Sequence, residues 1–138
     1  MNGRILLDTC AAIWITDDAR ISEEARACLD ESFDSGQPVM VSPVTAWELG
    51  MLVARGRYSI GMTVQSWFDH VAENAGTALA DLSPAILIDS SFLPGKPPRD
   101  PFDRVFIATA RMFGYRIMTR DRKILDYGAQ GHVQVIAC

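Results

Sequence analysis

The fold of this chain is restricted above all by short apolar runs that alternate with longer segments starting at helix-capping residues. Five runs have the length of strands: Arg4–Leu7, Val39–Val41, Thr77–Ala80, Arg116–Thr119 and Val133–Ile136. The intervening segments begin at typical N-terminal caps: Ser22, Ser42-Pro43, Thr63, Ser83-Pro84 and Asp100-Pro101. Strands that alternate with helices predict an α/β fold in which helices cover both faces of a parallel sheet, joined by right-handed crossovers.

Length and composition are those of an ordinary globular protein. The 138 residues are 49% hydrophobic and 22% charged, which predicts a single domain over residues 1–138. No apolar run approaches the roughly 20 residues of a membrane-spanning helix, and Ile5–Leu7 is too short for a signal peptide. The three cysteines, Cys10, Cys28 and Cys138, show no CxxC spacing, which favours reduced thiols and a cytoplasmic location.

The basic residues are unevenly distributed along the chain. The net charge of −4 argues against a general nucleic-acid-binding protein. Eight of the thirteen basic residues nevertheless lie between Lys96 and Lys123, a stretch with only three acids. This local excess allows a polyanion to approach the C-terminal third, although any single arginine there is equally well explained as solvated helix surface.

Isolated acidic residues stand at or near the ends of apolar segments: Asp8, Glu48, Asp103 and Asp121. Asp8 and Asp121 come just after predicted strands, and open α/β sheets bind their ligands at the carboxyl ends of parallel strands. Carboxylates gathered there repel one another unless a hard cation neutralises them, and Mg²⁺ or Mn²⁺ prefers oxygen ligands. The pattern therefore predicts a metal-dependent enzyme. Zinc is a poor candidate, because His70 and His132 are far apart in the sequence.

Each acid also has an ordinary structural interpretation. Asp8 and Asp121 could each cap the helix that follows, and Glu48 could lie on an exposed helix face. Asp100, which precedes a proline, is interpreted as a cap. Asp103 lies in the first helical turn, where the helix dipole favours an anion and where its carboxylate points back towards the carboxyl edge of the sheet.

Four sequence blocks, taken in order, resemble a known family. The blocks are Leu6–Thr9, Ser42–Leu49, Arg99–Arg104 with Ile107–Ala110, and Met118–Asp121. Together they resemble a PIN domain, and most closely the VapC-type ribonuclease toxins of prokaryotic toxin–antitoxin pairs. The resemblance covers nearly the whole chain and implies a three-layer α/β/α domain with a central parallel sheet.

The resemblance implies a Mg²⁺- or Mn²⁺-dependent endoribonuclease that hydrolyses RNA phosphodiester bonds at a quartet of acids: Asp8, Glu48, Asp103 and Asp121. We assign Asp8 and Asp103 to the principal metal ion. Asp121 would hold a second ion or orient the water, and Glu48 would complete the shell or accept a proton. Three further residues match supporting positions beside the quartet: Thr9, Asp100 and Thr119.

The implied partners are an RNA substrate, a VapB-like antitoxin that covers the acidic pocket, and a second copy of the chain in a homodimer. Candidate contacts to RNA phosphates come from the basic stretch: Arg99, Arg104, Arg120 and Arg122. Arg104, immediately after Asp103, could equally be a salt-bridge partner. Large apolar residues of the early helices, such as Trp14, Trp47 and Trp67, are interpreted mainly as core, with any exposed remainder forming a groove for an amphipathic helix.

Three other classes of protein place an acid after the first strand or share the PIN pattern. A phosphotransferase of the haloacid dehalogenase type needs a second acid two residues on, where this chain has Cys10, interpreted here as a small buried thiol. A receiver domain needs a lysine at the end of its last strand, whereas Val133–Ile136 is followed by Ala137 and Cys138. A PIN scaffold that binds RNA or a partner without cutting stays open, although the intact quartet favours an enzyme.

Overall fold

A computed structural model of the protein describes residues 3–138, so that Met1 and Asn2 of the predicted domain lie outside the described residues. Its five strands are β1 (Ile5–Leu7), β2 (Val39–Val41), β3 (Thr77–Leu79), β4 (Arg116–Thr119) and β5 (Gln134–Ala137). Neighbouring strands pair in parallel in the order β3-β2-β1-β4-β5. The predicted parallel sheet is confirmed, and β5 begins and ends one residue later than the prediction.

The connections between the strands are helical: α1 (Thr9–Thr16), α2 (Glu23–Asp34), α3 (Val44–Ala54), α4 (Val64–Glu73), α5 (Pro84–Asp89), α6 (Pro101–Phe113) and α7 (Arg122–Ala129). Ser22, Thr63 and Ser83 cap their helices through side-chain oxygens, as predicted. α6 ends at Gly114, whose φ of 71° is the left-handed conformation that glycine adopts readily. The caps therefore fix where most helices begin.

Three helix ends differ from the prediction. α3 starts at Val44 rather than Pro43, although the Ser42 hydroxyl still accepts a hydrogen bond from the Val44 backbone N–H (3.1 Å). α4 ends before Gly76, because Asn74 is extended and its side chain accepts a hydrogen bond from the Gly76 N–H. α5 stops at Asp89, well before the predicted Leu93-Pro94-Gly95, where tight backbone turns follow it.

Alternate residues of the central strand face opposite helical layers. Leu6 belongs to a buried cluster with Phe106 of α6 and Ile124 of α7. Ile5 and Leu7 belong to a second buried cluster on the other face, with helical residues that include Ala12, Leu49 and Trp67. The period-two alternation of a strand accounts for this division, and the three-layer α/β/α prediction is confirmed. Among residues 3–138, none of the helices combines the length and hydropathy needed to cross a lipid bilayer.

Candidate active site

The predicted acids meet in one pocket at the carboxyl edge of the sheet. Asp8 follows β1, Glu48 lies within α3, Asp103 lies in the first turn of α6, and Asp121 follows β4. The residues that line the pocket are Asp8, Thr9, Cys10, Trp14, Glu48, Asp100, Asp103, Phe106, Arg120 and Asp121. Four separate segments of the chain therefore bring the quartet to one place, because β1 and β4 are adjacent at the centre of the sheet.

Asp8 is buried and is held through both of its carboxylate oxygens. Oδ1 accepts a hydrogen bond from the Ala11 backbone N–H (2.8 Å), which makes Asp8 the N-cap of α1. Oδ2 accepts a hydrogen bond from the Thr119 hydroxyl (2.5 Å), and that hydroxyl in turn accepts one from the Asp121 backbone N–H (2.9 Å). Thr119 therefore links two acids of the quartet. The capping role of Asp8 and its place in the pocket are compatible.

We expect Thr119→Val to lower the free energy of unfolding at pH 7 by about 1–3 kcal/mol, since a buried charged acceptor loses its partner without a change in side-chain shape. Thr119 is fully buried, so water cannot easily replace the hydroxyl. Urea denaturation measures the effect, with Thr119→Ser as the control that keeps the hydroxyl. Equal stability of the valine and wild-type proteins would show that the bond to Asp8 contributes nothing.

Asp121 and Asp100 are exposed caps that leave room for a second role. Asp121 Oδ1 accepts hydrogen bonds from the backbone N–H groups of Lys123 (2.8 Å) and Ile124 (3.3 Å). Asp100 Oδ1 accepts them from the first turn of α6 in the same way. The capping predictions are confirmed for both residues. Because one oxygen does the capping in each case, the other can still face a ligand in the pocket.

Asp103 and Glu48 are half-buried carboxylates whose charges are poorly compensated. Burial, followed by the negative charges of Asp100 and Asp121, raises the pKa of Asp103 to about 8. Burial also raises the pKa of Glu48, which the neighbouring Thr9 hydroxyl opposes, and burial raises the pKa of Asp8. Such shifts disfavour the ionised carboxylates, and carboxylates with raised pKa values are common at functional sites.

Arg120 is the only basic residue among the described residues that line this pocket, and its guanidinium is already engaged. It lies over the Trp14 ring, 4.0 Å from the ring centroid. Its Nε donates to the Cys138 carbonyl (2.8 Å), and a terminal nitrogen donates to the Arg20 carbonyl. Arg120 therefore forms part of the pocket wall and ties two distant segments to it.

The other predicted phosphate-binding arginines have different surroundings. Arg104 is half-buried, and its Nη1 donates to the Ser90 carbonyl (3.3 Å). Arg99 and Arg122 are exposed next to Asp100 and Asp121. Contacts of all four arginines with RNA stay predictions, and the surroundings of Arg99 and Arg122 suit such contacts best.

The quartet suits a hard divalent cation by its chemistry, but its side chains do not form a closed cage. All four acids offer carboxylate oxygens, which Mg²⁺ and Mn²⁺ prefer. Among residues 3–138, no three His, Cys, Asp or Glu side chains are arranged so that they could hold a metal ion as they stand. Burial and the charges of Asp100 and Asp121 disfavour the ionised form of Asp103, and a bound cation would favour that form. The residues therefore fit the ion by their chemistry and not by their present spacing.

The interpretation of Cys10 as a small buried thiol is wrong. Cys10 is exposed and lines the pocket, because the buried face of α1 is formed by Thr9 and by Ala11–Ile13. Partial desolvation, followed by the charges of Asp8 and Glu48, raises the pKa of the Cys10 thiol to about 12. The thiol is therefore protonated at neutral pH and is a poor nucleophile.

Aromatic residues beside the acids are the part of the site that the sequence analysis missed. Trp67 is core, as predicted, but Trp47 is 61% exposed. The Trp47 ring meets the Phe102 ring edge-to-face, with centroids 4.9 Å apart and an interplanar angle of 75°. Phe106 lines the pocket from α6. Its position three residues after Asp103, on the same side of the helix, is the signal that could have found it.

Comparison with known proteins shows the family and the fold of the chain. The family model described as PIN domain matches residues 5–130. Ribonuclease VapC22 of Mycobacterium tuberculosis is 29% identical over 124 residues, which cover 89% of this chain and 91% of that protein. The solved structure of FitAcB from Neisseria gonorrhoeae matches with a TM-score of 0.56 at 22% identity, over 96% of both chains. VapBC2 from Rickettsia felis, bound to a promoter DNA fragment, matches with a TM-score of 0.65 at 13% identity, over 96% of this chain and 97% of that one.

Proposed function

Because the chain belongs to the PIN domain family, we propose that it is a metal-dependent endoribonuclease and the toxin of a VapBC-like toxin–antitoxin pair. The observation that carries the proposal is the convergence of Asp8, Glu48, Asp103 and Asp121 in one pocket. Similarity to a relative named as a ribonuclease supports RNA as the substrate.

The residues of the pocket have complementary proposed roles. Asp8 and Asp103 would hold the principal Mg²⁺ or Mn²⁺, and Asp121 would hold a second ion or orient the attacking water. When bound, such ions supply an activated water and neutralise charge on the phosphate. Thr119 orients Asp8 through its hydroxyl. Glu48, whose pKa is raised by burial, would complete the shell or accept a proton.

The proposed macromolecular partners are an antitoxin and a second copy of the chain. Solved structures with the same fold are named as FitAB and VapBC complexes, which supports a VapB-like antitoxin. The exposed side chain of Trp47 and the half-buried Trp14 offer apolar surface near the pocket. A cytoplasmic location is consistent with the free thiols of Cys10, Cys28 and Cys138.

Cleavage of total cellular RNA by the purified, partner-free chain tests the proposal. We expect discrete products with Mg²⁺ or Mn²⁺, and no products with EDTA, because phosphate charge then lacks its neutralising cation. Asp8→Asn is expected to remove the activity, and Asp30→Asn on the exposed surface of α2 is the matched control that keeps it.

Two results would contradict the proposal in different ways. A folded chain that binds RNA but cuts none with either metal would favour the alternative of a silent PIN scaffold. Cleavage that survives both EDTA and Asp8→Asn would place the activity outside the acidic pocket.

A further inference from the structure

Trp47 is a large, exposed aromatic side chain that directly precedes the pocket residue Glu48 in the sequence. It is 61% exposed although it lies within α3, whose neighbouring positions Val44, Thr45 and Leu49 are buried. Burying an indole normally stabilises a protein, since it removes a large apolar area from water. An exposed indole next to Glu48 therefore has no explanation in the packing of the core.

The Trp47 ring is held in place by its aromatic neighbour. Phe102 packs against the buried cluster that contains Phe106, and it contacts Trp47 edge-to-face with centroids 4.9 Å apart. Edge-to-face pairs of this separation restrict both rings. The indole is thus a preoriented surface, which loses little conformational entropy when a planar group stacks on it.

Each member of the aromatic pair is next to an acid of the pocket in the sequence. Trp47 precedes Glu48 in α3, and Phe102 precedes Asp103 in α6. The contact between Trp47 and Phe102 therefore joins α3 and α6 at positions one residue along the chain from two acids of the pocket. A nucleotide whose phosphate enters the pocket would bring its own base, or an adjacent base, to this ring.

The charge of the pocket favours a substrate contact that does not depend on charge. Asp8, Glu48, Asp100, Asp103 and Asp121 line it, and its arginine, Arg120, is engaged by the Trp14 ring and by two carbonyl groups. Without bound cations, acids in this number repel phosphates, so a contact that does not depend on charge would add to the affinity for RNA. Stacking of a base on an aromatic side chain is independent of charge and tolerates any sequence.

We propose that Trp47 is a stacking platform for a nucleobase that flanks the scissile phosphate, an inference that rests on the proposed ribonuclease function. A base can cover the indole face only when it is not stacked in a duplex. The geometry therefore selects substrates whose base at this position is unpaired. Trp47 would determine where the chain cuts, while the acids carry out the reaction.

The test measures RNA binding and RNA cleavage with the purified chain. The probe is a single-stranded 12-nucleotide RNA that contains a mapped cleavage site, together with versions that carry one abasic nucleotide on either side of it. We expect Trp47→Ala to weaken binding by roughly 5- to 100-fold, the range for loss of one base–aromatic stack, and Trp47→Phe to restore most of it. The matched control is Phe33→Ala, which also removes an exposed aromatic side chain (74% exposed). Phe33 lies near Gly76, just before β3, and therefore at the edge of the sheet opposite to the carboxyl edge that holds the acids.

Two readouts separate stacking from a general structural effect. An abasic nucleotide at one flanking position should weaken binding to the wild-type chain and have no further effect with Trp47→Ala, since the two changes remove the same contact. The dependence of binding on salt concentration should be the same for Trp47→Ala and the wild type, because no phosphate contact is lost.

The outcomes distinguish this inference from the proposed function. If the wild type cuts RNA and Trp47→Ala binds and cuts the probe equally well, the stacking platform is wrong and the ribonuclease stands. The exposed Trp47 ring would then be assigned to a contact with a protein partner. If abasic substitution affects the wild type and Trp47→Ala equally, stacking is likewise wrong. A wild-type chain that cuts no RNA overturns both proposals.

Discussion

Asp103→Asn is expected to reduce metal-dependent RNA cleavage by about 1,000-fold or more. Stabilisation of charge by a bound metal ion is worth several kcal/mol, and each ~1.4 kcal/mol corresponds to a factor of ten in rate. Asp103 is proposed to hold the principal ion with Asp8, and an amide oxygen is a weaker ligand than a carboxylate. Steady-state cleavage of a defined RNA measures the loss, with Asp30→Asn as the matched control.

The same substitution should make the metal-free protein more stable at alkaline pH. The pKa of Asp103 is about 8 in the folded chain, against about 4 for an unfolded aspartate. Between these values the folded chain keeps a proton that the unfolded chain releases, so the contribution of Asp103 to stability is most favourable below pH ~4 and becomes less favourable as the pH rises towards 8. Asparagine does not titrate, and Asp103→Asn therefore removes this fall.

Thermal unfolding of both proteins in EDTA, from pH 4 to pH 8, checks the expectation. The difference in Tm in favour of Asp103→Asn should grow steadily with pH. Addition of Mg²⁺ at pH 8 should stabilise the wild type more than the variant, because a ligand stabilises the folded state only where it binds. A Tm difference that is constant over the whole range would show that Asp103 does not titrate against its neighbours.

Phe106→Ala is expected to lower the free energy of unfolding by about 3–5 kcal/mol, the usual cost of truncating a buried phenylalanine. Phe106 is 1% exposed and belongs to the cluster that packs α6 and α7 on the sheet. It also lines the acidic pocket. Its loss would leave a cavity beneath the carboxylates as well as in the core.

Urea denaturation of Phe106→Ala and of Phe106→Leu, which refills most of the space, measures this effect. We expect the leucine variant to lose less than half of the stability that the alanine variant loses, and to keep its cleavage activity. A loss below about 1 kcal/mol for alanine would mean that neighbouring side chains close the cavity, and that Phe106 does not support the pocket.

Residues close together in the sequence made most of the fold predictable. Val39–Val41 and Arg116–Thr119 are strands with the predicted bounds, because β-branched and apolar residues are flanked there by turn or capping residues. Asp100 and Asp121 cap α6 and α7 as expected. Once the sheet is parallel, acids after β1 and β4 must share an edge. The convergence of Asp8 with Asp121 therefore follows from local patterns and one topological rule.

The features that were not predicted depend on contacts between residues far apart in the sequence, or on the rotation of a helix about its own axis. Arg120, whose phosphate contact stays a prediction, also donates a hydrogen bond to the carbonyl of Arg20, 100 residues earlier, which no local pattern indicates. Cys10 and Trp47 occupy apolar segments in which many faces could be buried, and the packing of α1 and α3 turns both towards solvent. Sequence periodicity does not determine that rotation when nearly all positions of a short helix are apolar.

The hydrogen bond between Thr119 and Asp8 joins residues 111 positions apart, and this separation has a consequence during translation. The ribosome delivers Asp8 first, and the partner of its carboxylate emerges 111 residues later, together with the neighbouring strand β4. A nascent or prematurely terminated chain holds Asp8 and Glu48 without Asp121, so its acidic cluster is incomplete. The proposed nuclease is therefore expected to lack its complete acidic pocket until Asp121 has been synthesised.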